Sequence, residues 1–162
     1  MNAYLVVGLV AGVAAFALTP MVRAISNRIG AIDRPNDRKV HAQPTPTLGG
    51  IAIFLGMVVA GLAAWAMPEF TDVYTQSSHT LGIAVGAVII CALGVIDDFR
   101  PLPAPVKLAG QTFAAGVLFL AGVKMQYVLL PDTVYVLSDD ISVIVTVIWL
   151  VAMMNAVNLI DG

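Results

Sequence analysis

Charge is scarce in this chain of 162 residues. Asp, Glu, Lys and Arg together make up 11% of it, where a soluble domain carries about a quarter. With 59% hydrophobic residues and a mean hydropathy of +0.92, that shortage leaves no room for a separate soluble domain and places the chain in the membrane class. Cysteine is almost absent. The single Cys91 lies inside an apolar run, so an internal disulfide is excluded and nothing follows about redox compartment. No positive charge precedes the N-terminal apolar run; the basic residues come after it. Ala15-Phe16-Ala17 is like a leader-peptide cleavage site, but that charge order and a run of roughly twenty residues favour a spanning helix over a cleaved leader. There is no internal repeat and no low-complexity tract. The net charge of -2 decides little, because in a membrane protein the placement of charge matters more than its sum.

What the chain does have is five long apolar stretches, at residues 3–22, 48–67, 80–96, 106–123 and 141–160. Each is long enough to cross a bilayer as a helix, the form that satisfies its own backbone in lipid. The expected fold is therefore all-α: a polytopic integral membrane protein with five transmembrane helices in a single transmembrane domain over residues 1–162. Of the eight Lys and Arg residues, seven fall in the first and third connections: Arg23, Arg28, Arg34, Arg38 and Lys39, then Arg100 and Lys107. The second connection, around Glu69 and Asp72, has none, and the fourth has only Lys124, beside Asp132, Asp139 and Asp140. The positive-inside rule puts the basic connections in the cytoplasm, the N-terminus outside and the end of the fifth span inside. His79 and the acids of the even connections read as solvated outer residues, and Trp65 and Trp149 as interface packing.

Four polar constellations lie on the expected cytoplasmic side. Asp97-Asp98 follows the apolar run Ala92-Leu93-Gly94-Val95-Ile96. Adjacent carboxylates suit Mg²⁺ or a general base near a phosphate, and taken alone they equally suit a solvated helix end. Arg38-Lys39-Val40-His41 precedes Pro44, Pro46 and Gly49-Gly50. Arg and Lys hold phosphate oxygens as a planar fork and a point charge, while plain topology also accounts for a basic cytoplasmic loop. Lys107 can meet a lipid phosphate at headgroup depth or simply snorkel. Asn155, Asn158 and Asp161, spaced i, i+3, i+6, share one helix face. Their oxygens suit a hard cation. Interhelical packing accounts for Asn155 but poorly for Asp161, whose charge such packing does not need.

Taken together, these segments resemble the polyprenyl-phosphate N-acetylhexosamine-1-phosphate transferase family. The motifs are Arg38-Lys39-x-His41-x-x-Pro44-x-Pro46-x-x-Gly49-Gly50, Gly94-Val95-Ile96-Asp97-Asp98-Phe99, Lys107-Leu108-x-x-Gln111 and Asn155-Ala156-Val157-Asn158-Leu159-Ile160-Asp161-Gly162, in that order from Gly30 onward. The basic-His loop looks more like the branch that starts O-antigen lipopolysaccharide, arabinogalactan or teichoic acid synthesis than the phospho-MurNAc-pentapeptide branch. The resemblance implies an enzyme of the bacterial inner membrane with its active face in the cytoplasm. It implies that a polyprenyl phosphate attacks the sugar-linked phosphorus of a UDP-N-acetylhexosamine, with GlcNAc as the expected sugar, and that UMP leaves. It makes Asp97, Asp98 and Asp161 the catalytic candidates. Arg38, Lys39, His41, Lys107 and Asn155 are the substrate-binding candidates, and Asn158 and Asp161 the ligands of Mg²⁺, with Mn²⁺ as the alternative ion. A membrane and two substrates are the expected partners, a homodimer is left open, and no nucleic acid is expected.

Family members continue past the Asp161-Gly162 step with further spans and a histidine-bearing cytoplasmic loop. The expectation is therefore an N-terminal fragment of a longer enzyme, inactive by itself. Two other classes compete. A transporter places its sites near the bilayer midplane, whereas spans one to four hold almost no mid-span charge. A non-catalytic, truncated membrane protein predicts that Asp97→Asn leaves function untouched.

Overall fold

The computed structural model describes residues 2–33, 45–75 and 78–161. The chain is mostly helical. Helix α1 covers Ala3–Ile29, and the two-residue strands β1 (Ile32–Asp33) and β2 (Thr45–Pro46) follow. Next come α2 (Gly49–Trp65), a single 3-10 turn at Pro68–Phe70, and the short α3 (Thr71–Thr75). Helices α4 (His79–Phe99) and α5 (Ala104–Leu120) precede a hairpin of β3 (Tyr127–Leu130) and β4 (Thr133–Val136), and α6 (Asp139–Asp161) ends the order.

Each expected apolar span is found as a helix, with shifted ends. Among the described residues, three helices are long and apolar enough to cross a membrane: α1, α4 and α6, the last over Asp139–Ile160. Helix α2 passes that test only together with Pro68–Thr75, from which it is bent by 98°, and α5 is a shorter apolar helix of 17 residues. The all-α expectation needs amending in two places, and the first is the short pair β1–β2 that brackets the first connection. The fourth connection is not a plain loop, because Tyr127 pairs with Val136 and Leu130 with Thr133 in an antiparallel hairpin. The β-branched and aromatic residues flanking Pro131-Asp132 are an ordinary strand-turn-strand signal.

Contacts divide the chain into two units. One comprises Met1–Ser77 with Cys91–Pro101, the other Ser78–Ile90 with Leu102–Gly162.

In the first unit, α1 starts where the Asn2 side chain accepts from the Tyr4 N–H at 3.2 Å, a normal N-cap device. It stops at Gly30, whose φ of 74° needs a residue without a Cβ. Arg28 in its last turn suits the negative end of the helix dipole. The helix thus runs seven residues beyond the expected 22, and Arg23 and Arg28 are helical rather than part of a loop. Helix α2 buries Ala52, Gly56, Ala60 and Ala64, a four-residue repeat of small side chains that lets helix backbones approach closely. At Gly56 the approach is so close that a Cβ would lie 2.8 Å from the Ala11 carbonyl oxygen and 2.8 Å from the Ala15 Cβ. The pair is antiparallel. The Tyr4 ring meets Phe70 edge-on at 5.1 Å just past the end of α2, while Val22 clusters with Leu48 and Ala52 at its start. Tyr74 on α3 donates its hydroxyl to the Gly61 carbonyl at 2.7 Å, which holds the bent segment against α2.

In the second unit, the N-terminal half of α4 lies against the end of α5 through Gly82 and Gly86. A Cβ on the first would overlap the Ala121 Cβ, and one on the second would sit 3.0 Å from Leu118 Cγ. Helices α5 and α6 pack directly on each other. The segment between α5 and the hairpin is fastened to α6 by two bonds: Thr146 Oγ1 accepts from the Met125 N–H at 2.9 Å, and Ser142 Oγ donates to the Met125 carbonyl at 2.6 Å. Ser142 and Thr146 are buried, so in an apolar setting these bonds also satisfy their own hydroxyls. An ion pair of Lys124 with Asp139 at 3.0 Å closes the base of the hairpin.

Candidate active site

The first unit holds the acid pair and both stems of the basic segment. Asp97 and Asp98 occupy the last turn of α4, Asp97 half-buried and Asp98 exposed. Carboxylates at a helix C-terminus run against the helix dipole, and α4 carries no basic residue in that turn. Local helix stability therefore does not explain two acids there. Val95, two residues earlier, packs against the buried cluster of Val22, Ala31, Leu48 and Ala52. Ala31 and Leu48 flank the segment that carries Arg38, Lys39 and His41. Those three candidates lie outside the described residues; Ala31 and Leu48, on either side of their segment, belong to the cluster against which the acid-bearing helix packs.

The stems are held by a knot of hydrogen bonds on one atom. The Ala31 carbonyl accepts from the buried Ser26 hydroxyl, from the Thr47 hydroxyl at 3.2 Å and from the Thr47 N–H at 3.1 Å. Strand β1 then pairs with β2 in the register Ile32 to Pro46 and Asp33 to Thr45. Beside this knot lies a cavity of about 330 Å³, lined by Thr19, Val22, Arg23, Ser26, Thr45 and Leu48 among others. The knot was not foreseen. Ser26 lies outside the motifs and Thr47 at an unassigned position within one, and only the three-dimensional path brings them to one carbonyl.

The second unit holds the other group. Lys107 is half-buried in the first turn of α5, and Gln111 follows one helical turn later. On α6, Asn155 is half-buried and Asn158 exposed. Asp161 is the last residue of the helix, and its side chain lies outside the described residues. Asn155 Nδ2 donates to Gln111 Oε1 at 2.7 Å and to the Val151 carbonyl at 2.8 Å. Asn155 is thus an interhelical tie, the packing role that the sequence already allowed it. Gln111 was quoted in a motif but given no role; an amide in the middle of an apolar helix was the available signal.

Among the described residues, no three His, Cys, Asp or Glu side chains gather into a cation cage. Mg²⁺ commonly takes one or two protein carboxylates and fills the remaining positions with water and substrate phosphates. In the first unit Asp97 and Asp98 offer carboxylate oxygens of that type, and in the second Asn158 offers an amide oxygen.

Comparison with known proteins gives the class. The description "Glycosyl transferase family 4" matches residues 80–162, which hold the acid pair, Lys107 and the Asn155–Asp161 face. The chain belongs to glycosyl transferase family 4. It is 37% identical over 160 residues to the decaprenyl-phosphate N-acetylglucosaminephosphotransferase of Mycobacterium tuberculosis (strain ATCC 25618 / H37Rv), covering 96% of this chain and 39% of that protein. It is 41% identical over 146 residues to a probable undecaprenyl-phosphate N-acetylglucosaminyl 1-phosphate transferase of Bacillus subtilis (strain 168), covering 90% of this chain and 38% of the relative. A third relative, the undecaprenyl-phosphate alpha-N-acetylglucosaminyl 1-phosphate transferase of Thermotoga maritima (strain ATCC 43589 / DSM 3109 / JCM 10099 / NBRC 100826 / MSB8), is 29% identical over 147 residues, covering 91% of this chain and 42% of its own length. The chain therefore spans about two-fifths of the length of the curated relatives it matches. No solved structure matches it.

Proposed function

We propose that the protein transfers N-acetylglucosamine 1-phosphate from UDP-N-acetylglucosamine to a polyprenyl phosphate, releasing UMP and leaving a polyprenyl-diphospho-sugar in the membrane. The observation that carries this is the 37–41% identity, across nearly the whole chain, to relatives named as polyprenyl-phosphate N-acetylglucosamine phosphotransferases. A lipid phosphate oxygen forms the new bond to the sugar-linked phosphorus, and the bond from that phosphorus to the UMP oxygen breaks. Both partners are anions, so the work of the protein is positioning and charge stabilisation.

In this reading Asp97 orients or deprotonates the lipid phosphate and Asp98 supports it. Lys107 contacts the lipid phosphate, and Arg38, Lys39 and His41 hold the phosphates of the nucleotide sugar. Asn155 lines the sugar-nucleotide side. Asn158 and Asp161 hold Mg²⁺, which when bound offsets the charge on the phosphate oxygens. The chain crosses a bacterial inner membrane five times with its N-terminus outside, α2 and α5 being the two shorter crossings. The basic residues of the odd connections then face the cytoplasm, where the soluble substrate is.

The test uses membranes from cells expressing the protein from its native gene, assayed for UMP release. Release that requires UDP-N-acetylglucosamine, polyprenyl phosphate and Mg²⁺ together is the expected result. Release supported by UDP-MurNAc-pentapeptide instead assigns the peptidoglycan branch, and no release with either donor overturns the proposal.

A further inference from the structure

Helices α5 and α6 are joined through a short hairpin whose lead-in is pinned to the start of α6 by Ser142 and Thr146. They pack on each other, so they run antiparallel, and the beginning of α5 lies beside the end of α6. Gln111 and Asn155, 44 positions apart in sequence, meet between them at 2.7 Å. Lys107 stands four residues before Gln111, and Asn158 three residues after Asn155. Both spacings are about one helical turn on the same face. Because the helices are antiparallel, both steps lead toward the same end of the pair.

The orientation of the two amides is forced. The Val151 carbonyl can only accept, so Asn155 must turn its nitrogen to it; that nitrogen then offers its second hydrogen to Gln111, which must present its oxygen. Each helix can slide or rotate against its neighbour only by breaking this bond. In an apolar surrounding, breaking it strands an amide donor and an amide acceptor.

We propose that Gln111 is a positioning residue: through Asn155 it sets the register of α5 against α6 and thereby the spacing of Lys107 from Asn158, one turn above. The proposal rests on the transferase reading for its kinetic consequence, but not for its geometry. Packing alone would make the Gln111–Asn155 bond a matter of stability. Positioning makes it a matter of rate, since a displacement of about 1 Å between reacting groups costs on the order of 100-fold.

Four variants of the native protein in membranes make the test. Gln111→Met keeps the length of the side chain and removes the accepting oxygen; Gln111→Glu keeps the oxygen. The expected result is a fall in kcat on the order of 10- to 100-fold for Gln111→Met, with KM for the nucleotide sugar little changed, the melting temperature retained, and most of the rate restored in Gln111→Glu. A Gln111→Met protein with an unchanged rate overturns the proposal, as does one whose rate falls only in step with its melting temperature. The third variant, Lys107→Cys with Asn158→Cys, is treated with a short bismaleimide and needs no activity. Cross-linking should be efficient with Gln111 in place and slow with Gln111→Met added. Equal cross-linking in both overturns the register claim. A silent transferase assay with Gln111-dependent cross-linking overturns only the transferase reading.

Discussion

Adding one methyl group at Gly56 tests how α1 and α2 are held together, and with them the stems of the basic segment. A Cβ there would lie 2.8 Å from the Ala11 oxygen, 2.8 Å from the Ala15 Cβ and 2.9 Å from the Ala15 nitrogen. All three atoms are backbone or the root of a side chain, so no flexible group can swing aside. Carbon contacts settle near 3.5–4.0 Å, so the two helices must part by roughly 0.7–1.2 Å. Overpacking of this kind costs about 1–3 kcal/mol, while Ala in place of a helical Gly returns about 0.5–1 kcal/mol. Taking the middle of each range, the net expected loss is about 1 kcal/mol. At about 2–4 °C per kcal/mol for a chain of this size, Gly56→Ala should melt about 2–4 °C lower, measured by circular dichroism in detergent. The control is Gly12→Ala, on a face where a Cβ meets nothing within 4 Å; its melting temperature should hold or rise. Equal behaviour of the two variants would refute the close approach of α1 and α2.

Hydrogen-bond accounting yields a contrast at two buried hydroxyls. Ser26→Ala leaves the Ala31 carbonyl with both Thr47 donors, so the loss should stay near 0.5–1.5 kcal/mol. Thr146→Val keeps the shape but deprives the Met125 N–H of its acceptor, and should cost about 1–3 kcal/mol; chemical denaturation of both variants ranks them. Asp139→Ala removes the partner of Lys124, but Asp139 is 89% exposed, so thermal stability should shift by no more than about 1 kcal/mol.

The helices were legible because long apolar runs can take almost no other form in lipid. Their ends were not. Arg23 and Arg28 read as loop because they are charged, yet Arg is a good helix former and a cation suits the end of a helix, so α1 continues to the glycine that can turn it. The hairpin after α5 was passed over because its strands are only four residues each, shorter than the runs used to place the helices. At the candidate site, the acid pair, Lys107 and the Asn155–Asp161 face stand out by residue type, since polar groups at the ends of apolar spans are costly without a use. Ser26 and Thr47 stand out only by what they touch, and Gln111, an amide in an apolar helix, gains its role from its partner. A serine in a helix or a glutamine in an apolar span acquires its meaning from a partner that sequence distance hides, 16 positions away for Thr47 and 44 for Gln111.

The most direct test compares the native protein with Asp97→Asn, in membranes containing equal amounts of each, for formation of polyprenyl-diphospho-N-acetylglucosamine from UDP-N-acetylglucosamine. The substitution keeps the size of the side chain and removes its charge. The account predicts robust transfer by the native protein and a loss on the order of 10²–10⁴-fold in the variant, with an unchanged melting temperature. Transfer by Asp97→Asn at the native rate would contradict it.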